Sequence, residues 1–191
     1  MHLSNPDGFL ALPAAGKGPG VLVLHAWWGL NQTIKDFCDR LAGEGFLAFA
    51  PDLYHGQVAE TIPSAEALGG ALDARHLQAK AEIAAGARYL GEQAGHASRA
   101  LAVVGFSLGA YYALDLSAAD PEHIRSVVLY YGTGLADFSR SQASYLGHFA
   151  GQDAYEPESN VTELEAELRL AGRPVTFNRF AGAGHWFSDP S

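Results

Sequence analysis

Residues 101–110 read LAVVGFSLGA. The change within this decapeptide from an apolar run to a glycine-flanked serine is the clearest indication of the fold in the chain. The apolar run 101–105 predicts a buried strand, and the Ala- and Leu-rich run 108–118 predicts a short helix. Between them, GFSLG has the G-x-S-x-G pattern of a tight turn that holds a reactive serine between a strand and a helix. Its glycines leave room for the two backbones to approach the serine. We therefore predict that Ser107 is a nucleophile, the alternative being an ordinary glycine-flanked serine in a β–α turn.

The rest of the chain alternates between strand-like and helix-like segments. Continuous apolar runs are typical of parallel strands covered on both faces, and apolar residues three and four positions apart are typical of helices. This alternation predicts an α/β fold with a mostly parallel sheet and helices on both faces. Residues 55–70 lack a regular pattern and are predicted to form a loop. The other predicted strands cover residues 21–25, 46–50, 126–131, 144–150 and 174–180, and the other predicted helices lie within residues 34–41, 72–90 and 161–171.

The composition argues against several classes of function. The chain has 191 residues, of which 48% are hydrophobic and 17% charged, which is typical of a globular protein and not of a disordered one. Its net charge of −9 disfavours binding to nucleic acid or to an anionic membrane surface. No apolar run approaches the roughly 20 residues that a membrane span needs. We expect a single domain over residues 1–191, no secretory signal, no membrane association and a cytoplasmic location.

Cysteine and histidine usage argues against a disulfide framework and against a metal site. Cys38 is the only cysteine, and because it lies on the apolar stripe of a predicted helix, we expect a buried thiol. His25 could be a metal ligand or a second base, but no other histidine or acid stands at ligand spacing from it. We expect His25 to make a hydrogen bond within its loop instead. The sequence implies no metal and no cofactor.

A serine nucleophile needs a base that takes its proton and a carboxylate that orients the base. When a G-x-S-x-G turn carries the serine, the chain order is serine, acid, histidine. Asp153 and His185 each follow a predicted strand, at the carboxyl edge where open α/β sheets place their sites. Asp137 also follows a strand and a glycine-rich turn, so it remains an alternative acid.

Acyl transfer also needs two N–H donors for the negative oxygen that develops on the substrate. One expected donor is the backbone N–H of Leu108, the residue after the serine. The other expected donor is the N–H of Trp27, in the loop that follows the predicted strand 21–25.

Six segments of the chain together resemble the dienelactone hydrolase family of the α/β-hydrolases. The resemblance implies the α/β-hydrolase fold, hydrolysis of an ester or lactone, and a catalytic triad of Ser107, Asp153 and His185. It also implies oxyanion donors at the N–H groups of Trp27 and Leu108. The segments are VLVLHAWWGLN at 21–31, GFLAFAPDLY at 45–54, VGFSLG at 104–109, YYG at 130–132, AGQD at 150–153 and AGHWF at 183–187.

The chain departs from this family's pattern at positions that bear on the substrate. The namesake enzymes of the family have a cysteine in place of Ser107, a glutamate in place of Ala26, and arginines that hold a substrate carboxylate. One of these arginines matches Asp189, and no basic residue occurs between Arg40 and Arg75, where the other is expected. We therefore expect a neutral ester or lactone as the substrate.

Aromatic residues stand beside the predicted site residues along the chain. Trp28, Phe106, Tyr155 and Trp186 are predicted to line the substrate pocket, where large rings favour apolar or aryl groups. Because Trp186 is next to the expected base, we expect it to narrow the acyl side of the pocket. Further rings near the same edge are Tyr54, Tyr130 and Tyr131.

The sequence predicts a serine hydrolase that cleaves a small neutral carboxylic ester or lactone through an acyl-serine intermediate, as a monomer or a homodimer. Two alternatives stay open: a non-catalytic relative that binds a small ligand, and acyl transfer on thioester or peptide substrates by the same residues. No helical pattern follows the last predicted strand, so we expect one sheet face near that end to be poorly covered. Either the sequence is short of a helix there, or a neighbouring subunit covers the face.

Overall fold

The computed structural model describes residues 6–94 and 100–189 of the chain. Its seven strands are mostly parallel and helices pack on them, which confirms the predicted α/β class. The chain divides into two compact units, residues 1–101 and 102–191. A single domain over residues 1–191 stays a prediction.

The first unit contains three strands and three helices. β2 (Gly20–Leu24) runs parallel to β3 (Leu47–Pro51), and β1 (Gly8–Ala11) pairs antiparallel with β3 on its other side. All residues of β2 and β3 are buried, as expected for strands covered on both faces. The helices of this unit are α1 (Gln32–Gly43), α2 (Ile62–Asp73) and α3 (His76–Ala94).

The prediction of a loop over residues 55–70 is wrong, because α2 begins at Ile62. The helix starts with a reciprocal cap. The Thr61 hydroxyl accepts a hydrogen bond from the Ser64 N–H (3.3 Å), and the Ser64 hydroxyl accepts one from the Thr61 N–H (3.1 Å). This cap has serine where the usual pattern has Glu or Gln, so the sequence motif does not reveal it.

Two further features of the first unit differ from the sequence pattern. The prediction of one helix from residue 72 to residue 90 is wrong, because Leu72 belongs to α2 and α3 begins at His76. Strand β1 was not predicted. It has only four residues, which is too short a segment to show a clear alternation of apolar and polar side chains.

The second unit carries its strands in the order β4-β5-β6-β7. Of these, β5, β6 and β7 pair in parallel, with Tyr130 opposite His148 and Ala150 opposite Phe180. The predicted strand 144–150 is confirmed at both ends, and the other predicted strands of this unit are confirmed to within two residues. The elements are β4 (Leu101–Phe106), α4 (Leu108–Ala119), β5 (Ile124–Tyr130), a short 3-10 helix (Phe138–Arg140), β6 (Ser144–Ala150), α5 (Glu158–Leu170) and β7 (Val175–Phe180).

Parallel pairing brings the carboxyl ends of β5, β6 and β7 to one edge of the second unit, where side chains from separate loops can meet. β7 lies at the end of the strand order, and the expected poor cover is confirmed there, since Phe180 is 44% exposed. Among the helices of residues 6–94 and 100–189, none combines the length and the apolar character of a membrane span.

Candidate active site

Ser107 occupies a strained turn between β4 and α4. Its backbone has φ 51° and ψ −113°, in a region that side chains other than glycine rarely adopt. A β-carbon on Gly105 would stand 2.4 Å from the Gly109 carbonyl oxygen, so the predicted need for glycine at position 105 is confirmed. The Ser107 N–H donates to the Tyr130 carbonyl oxygen (2.9 Å), which ties the turn to the end of β5. Ser107 thus lies at the positive end of the α4 dipole.

The structure brings Ser107, His185 and Asp153 into one hydrogen-bonded line. The Ser107 Oγ lies 3.0 Å from His185 Nε2, and His185 Nδ1 lies 2.9 and 2.8 Å from the two Asp153 carboxylate oxygens. Because the ionised carboxylate can only accept, Nδ1 carries the proton, and Nε2 is left to accept from the serine hydroxyl. The side chains of His185 and Asp153 are only 6% and 3% exposed, so water is largely kept from their contact.

The Asp153 carboxylate is oriented by the backbone of its own loop. Its Oδ1 accepts hydrogen bonds from the N–H groups of Tyr155 and Glu156, each at 2.9 Å. These bonds orient the carboxylate toward His185.

The alternative acid Asp137 has a different, local role. Its exposed side chain accepts a hydrogen bond from the Ser139 N–H (3.0 Å) and caps the 3-10 helix of residues 138–140. The hydrogen bonds from Ser139 hold the pKa of Asp137 below its ordinary value. Of the two candidate acids, Asp153 is the one that bonds to His185.

Aromatic rings surround His185. The Tyr155 ring lies 5.2 Å and the Trp186 ring 4.9 Å from the imidazole, and these two rings lie 4.9 Å from each other. Trp186 has φ 63°, another strained backbone position next to the histidine. Phe106 is buried and stacks on Tyr130 at 4.8 Å, so it packs within the core. The pocket roles of Phe106, Tyr155 and Trp186 stay predictions.

The hydrogen bond between Tyr131 and Asp189, next to His185, was not predicted from the sequence. Tyr131 is fully buried, and its ring lies 4.9 Å from the imidazole. Its hydroxyl donates to an Asp189 carboxylate oxygen (3.0 Å) and lies 2.8 Å from the Ser188 hydroxyl. Burial raises the pKa of Tyr131 and also that of Asp189. The sequence signals are the YYG segment and the unusual acid four residues after the histidine, but neither reveals that the two residues pair.

The two expected oxyanion donors belong to different units. Leu108 is the first residue of α4, and the first N–H groups of a helix have no partner within the helix. Trp27 follows β2 in the first unit, with its indole against α2, 3.2 Å from where a β-carbon on Gly69 would stand. Trp28 follows it, and its carbonyl oxygen accepts from the Ala59 N–H (3.0 Å). The expected roles of Leu108, Trp27 and Trp28 stay predictions.

His25 makes hydrogen bonds with both ring nitrogens. Nδ1 lies 2.7 Å from the Ala26 carbonyl oxygen, and Nε2 accepts from the Leu53 N–H (3.3 Å). The ring is fully buried, and burial lowers the pKa of His25, so the neutral form is favoured. The expected hydrogen-bonding role within the loop is confirmed.

Cys38 is also buried, as expected, and burial raises the pKa of its thiol to about 12. The thiol therefore stays protonated and unreactive at neutral pH. Within the part of the chain that the structure describes, no three His, Cys, Asp or Glu side chains form a group suited to a metal ion.

Comparison with known proteins yields one family and several relatives. The family model described as "Dienelactone hydrolase family" matches residues 7–191. A "Putative carboxymethylenebutenolidase" of Aquifex aeolicus (strain VF5) is 30% identical over 193 residues, covering 94% of this chain and 80% of the relative. A "Probable 2-oxo-3-(5-oxofuran-2-ylidene)propanoate lactonase" of Bradyrhizobium sp. is 28% identical, with 95% and 78% covered.

A solved structure agrees with these sequence matches. The "Putative Dienelactone Hydrolase" of Klebsiella pneumoniae subsp. pneumoniae MGH 78578 superimposes with a TM-score of 0.77 at 28% identity, covering 91% of this chain and 78% of the other. The α/β-hydrolase fold that the sequence resemblance implied is thereby confirmed.

Proposed function

Because the chain belongs to the dienelactone hydrolase family and is a carboxylic ester hydrolase, we propose that Ser107 is its nucleophile and that it acts through an acyl-serine intermediate. The observation that carries this proposal is the hydrogen-bonded line from Ser107 Oγ through His185 to Asp153. A hydroxyl, an imidazole and a carboxylate in this order form the relay that serine hydrolases use.

In the acylation step, Ser107 Oγ attacks the carbonyl carbon of the ester while His185 Nε2 takes the hydroxyl proton. Asp153 stabilises the imidazolium that forms and keeps the ring in its reactive orientation. The tetrahedral intermediate then collapses. The bond from carbon to the leaving oxygen breaks, and His185 returns its proton to that oxygen, which leaves as an alcohol.

In the deacylation step, water takes the place of the alcohol. His185 takes a proton from the water while the water oxygen attacks the acyl carbon. The proton then passes from His185 to Ser107 Oγ as the acyl–serine bond breaks. The products are a carboxylic acid and the free serine. In both steps the negative oxygen of the intermediate is proposed to accept from the N–H groups of Leu108 and Trp27, and one such donor contributes about 3 kcal/mol.

We propose a small neutral ester or lactone as the substrate. The relatives named above include a carboxymethylenebutenolidase and a lactonase, which supports a lactone or ester bond as the bond that is cleaved. The carboxylate of Asp189 accepts a hydrogen bond from the hydroxyl of Tyr131, whose ring packs on His185. This carboxylate and the net charge of −9 both disfavour an anionic substrate. Trp186 beside the imidazole supports a short acyl group.

We further propose that the enzyme works in the cytoplasm as a monomer or a homodimer. A single buried thiol that forms no disulfide agrees with a reducing compartment. Sedimentation equilibrium would give the mass in solution, and a trimer or larger assembly would contradict this proposal.

The function is tested with a short p-nitrophenyl ester and with a fluorophosphonate probe. We expect the wild-type protein to hydrolyse the ester and to be labelled once, and Ser107→Ala to lose both properties. Ser144→Ala, which changes an exposed serine at the start of β6, serves as the control and should retain both. Equal rates for wild type and Ser107→Ala would exclude Ser107 as the nucleophile.

The same probes separate the alternatives. A protein that neither hydrolyses the ester nor reacts with the fluorophosphonate would be a non-catalytic ligand-binding relative. Higher kcat/KM on a matched thioester or amide than on the ester would replace the ester assignment with a different acyl transfer.

A further inference from the structure

The carboxylate of Glu156 joins two loops that leave the same edge of the second unit. Its Oε2 accepts a hydrogen bond from the Thr133 N–H (2.8 Å), and its Oε1 accepts one from the Thr133 hydroxyl (2.9 Å). The side-chain amide of Asn160, in the first turn of α5, also donates to Oε1 (2.9 Å). Three donors on one carboxylate fix both its position and its rotation.

Each loop that Glu156 joins also contacts a member of the proposed triad. The N–H of Glu156 itself donates to Asp153 Oδ1 (2.9 Å). On the other side, Thr133 follows Gly132, which packs so closely on the Ser107 backbone that it has no room for a β-carbon. A closed ring of contacts therefore runs from the serine through Gly132, Thr133, Glu156, Asp153 and His185 back to the serine hydroxyl.

We propose that Glu156 is a positioning residue. It sets the distance between the loop that carries Asp153 and the turn that carries Ser107, and so holds the Asp153 carboxylate in line with His185. This inference rests on the proposed function, because it assigns Glu156 a role within the same triad. The reason is geometric. The stabilisation that Asp153 gives to the imidazolium depends on its alignment with Nδ1, and a displacement of about 1 Å can cost 100-fold in rate.

The surroundings of Glu156 differ from those of its acidic neighbours on the chain. Glu158 pairs with Arg179 at 2.7 Å, with side chains 56% and 35% exposed. Such an exposed pair contributes little to stability. Glu163 is exposed on α5 and provides a matched control for loss of one negative charge.

A double-mutant cycle tests whether Glu156 acts through Asp153. We expect Glu156→Ala to lower kcat/KM for a p-nitrophenyl ester by about 10- to 100-fold, mostly through kcat. In the background of Asp153→Asn, the same change should cost less than about 2-fold, because the aligned carboxylate is already lost. If the double variant loses kcat/KM by the full product of the two single-variant factors, the proposal is overturned. Thr133→Val, which removes only the hydroxyl donor, should cost less than Glu156→Ala, and Glu163→Gln should leave kcat and KM unchanged.

A readout that needs no turnover separates this proposal from the proposed function. The His185 Nδ1 proton, identified by its loss in His185→Gln, should give a low-field proton NMR resonance that Glu156→Ala shifts or broadens and that Glu163→Gln leaves in place. An unchanged resonance in Glu156→Ala would overturn the positioning role even if the ester is cleaved. A shifted resonance in a protein that cleaves no ester would support the positioning role and contradict the proposed function.

Discussion

A β-carbon added to Gly132 would stand 2.4 Å from the carbonyl oxygen of Ser107 and 2.9 Å from the β-carbon of Ala110. Real β-carbons essentially never approach a backbone oxygen below 3.0 Å, so any side chain at position 132 must displace the turn that carries the serine. The loop after β5 therefore supports the turn directly, and the position of the Ser107 hydroxyl depends on a residue that has no side chain.

The first prediction concerns this contact. We expect Gly132→Ala to lower kcat/KM by about 100-fold, because the displaced turn moves Ser107 Oγ away from His185. The overpacking should also lower the free energy of unfolding by about 1–3 kcal/mol, measured by urea denaturation. The control is Gly182→Ala, since apart from Gly182 itself and its two chain neighbours no atom of the described residues lies within 4 Å of a β-carbon there. Wild-type activity in Gly132→Ala would contradict this account of the turn.

The second prediction distinguishes the two candidate acids. Asp153→Asn should lower kcat by about 10⁴-fold, because an amide does not hold His185 in the tautomer that accepts from the serine. Asp137→Asn should leave kcat within about 2-fold of wild type, since Asp137 caps only a short helix. Steady-state kinetics on one p-nitrophenyl ester suffices, and a reversed order of the two losses would return the role to Asp137.

The third prediction concerns the charge of the substrate. Asp189→Asn should raise kcat/KM for a carboxylate-bearing ester, relative to its neutral analogue, by about 5-fold, as expected for removal of one negative charge at partly screened range. Glu163→Gln removes the same charge from the exposed face of α5 and should leave the ratio unchanged. If both variants change the ratio of the two kcat/KM values equally, the net charge of the protein disfavours the carboxylate-bearing ester and Asp189 has no specific role.

The fourth prediction concerns pH and stability. Burial holds the pKa of His25 below the ordinary value of 6.5, so the unfolded chain binds a proton there that the folded chain does not. Stability contributed by the neutral ring is complete above that value and is lost as the pH falls below it. We expect the free energy of unfolding to decrease on acidification from pH 7.5 to pH 5. In His25→Gln the decrease should be less steep, and the slopes of the two proteins should differ by up to about 1.4 kcal/mol per pH unit. Parallel pH profiles for the two proteins would contradict this.

Much of the candidate site could be predicted because its residues follow strands. The alternation of apolar runs and helical stripes predicts which segments are parallel strands, and parallel strands end at one edge, so His185 and two candidate acids, Asp153 and Asp137, could be located from chain order. The choice between Asp153 and Asp137 could not be made in the same way. Both follow a strand and a turn, and only the hydrogen bonds distinguish the acid that bonds to the histidine from the one that caps a helix.

The features that the sequence did not reveal depend on contacts between distant or atypical residues. Tyr131 and Asp189 are 58 positions apart, and their hydrogen bond follows from how two loops pack. Helix α2 was missed because its cap pairs Thr61 with Ser64, which sequence rules do not recognise as a capping pair. In both cases the decisive interaction leaves no periodic pattern in the sequence.

The positive φ of Ser107 implies that the serine turn lowers the stability of the folded protein. A residue with a side chain in that conformation costs about 1–3 kcal/mol, and glycine would remove most of that cost. The variant Ser107→Gly, which lacks the hydroxyl that we propose as the nucleophile, should therefore melt at a higher temperature than the wild-type protein.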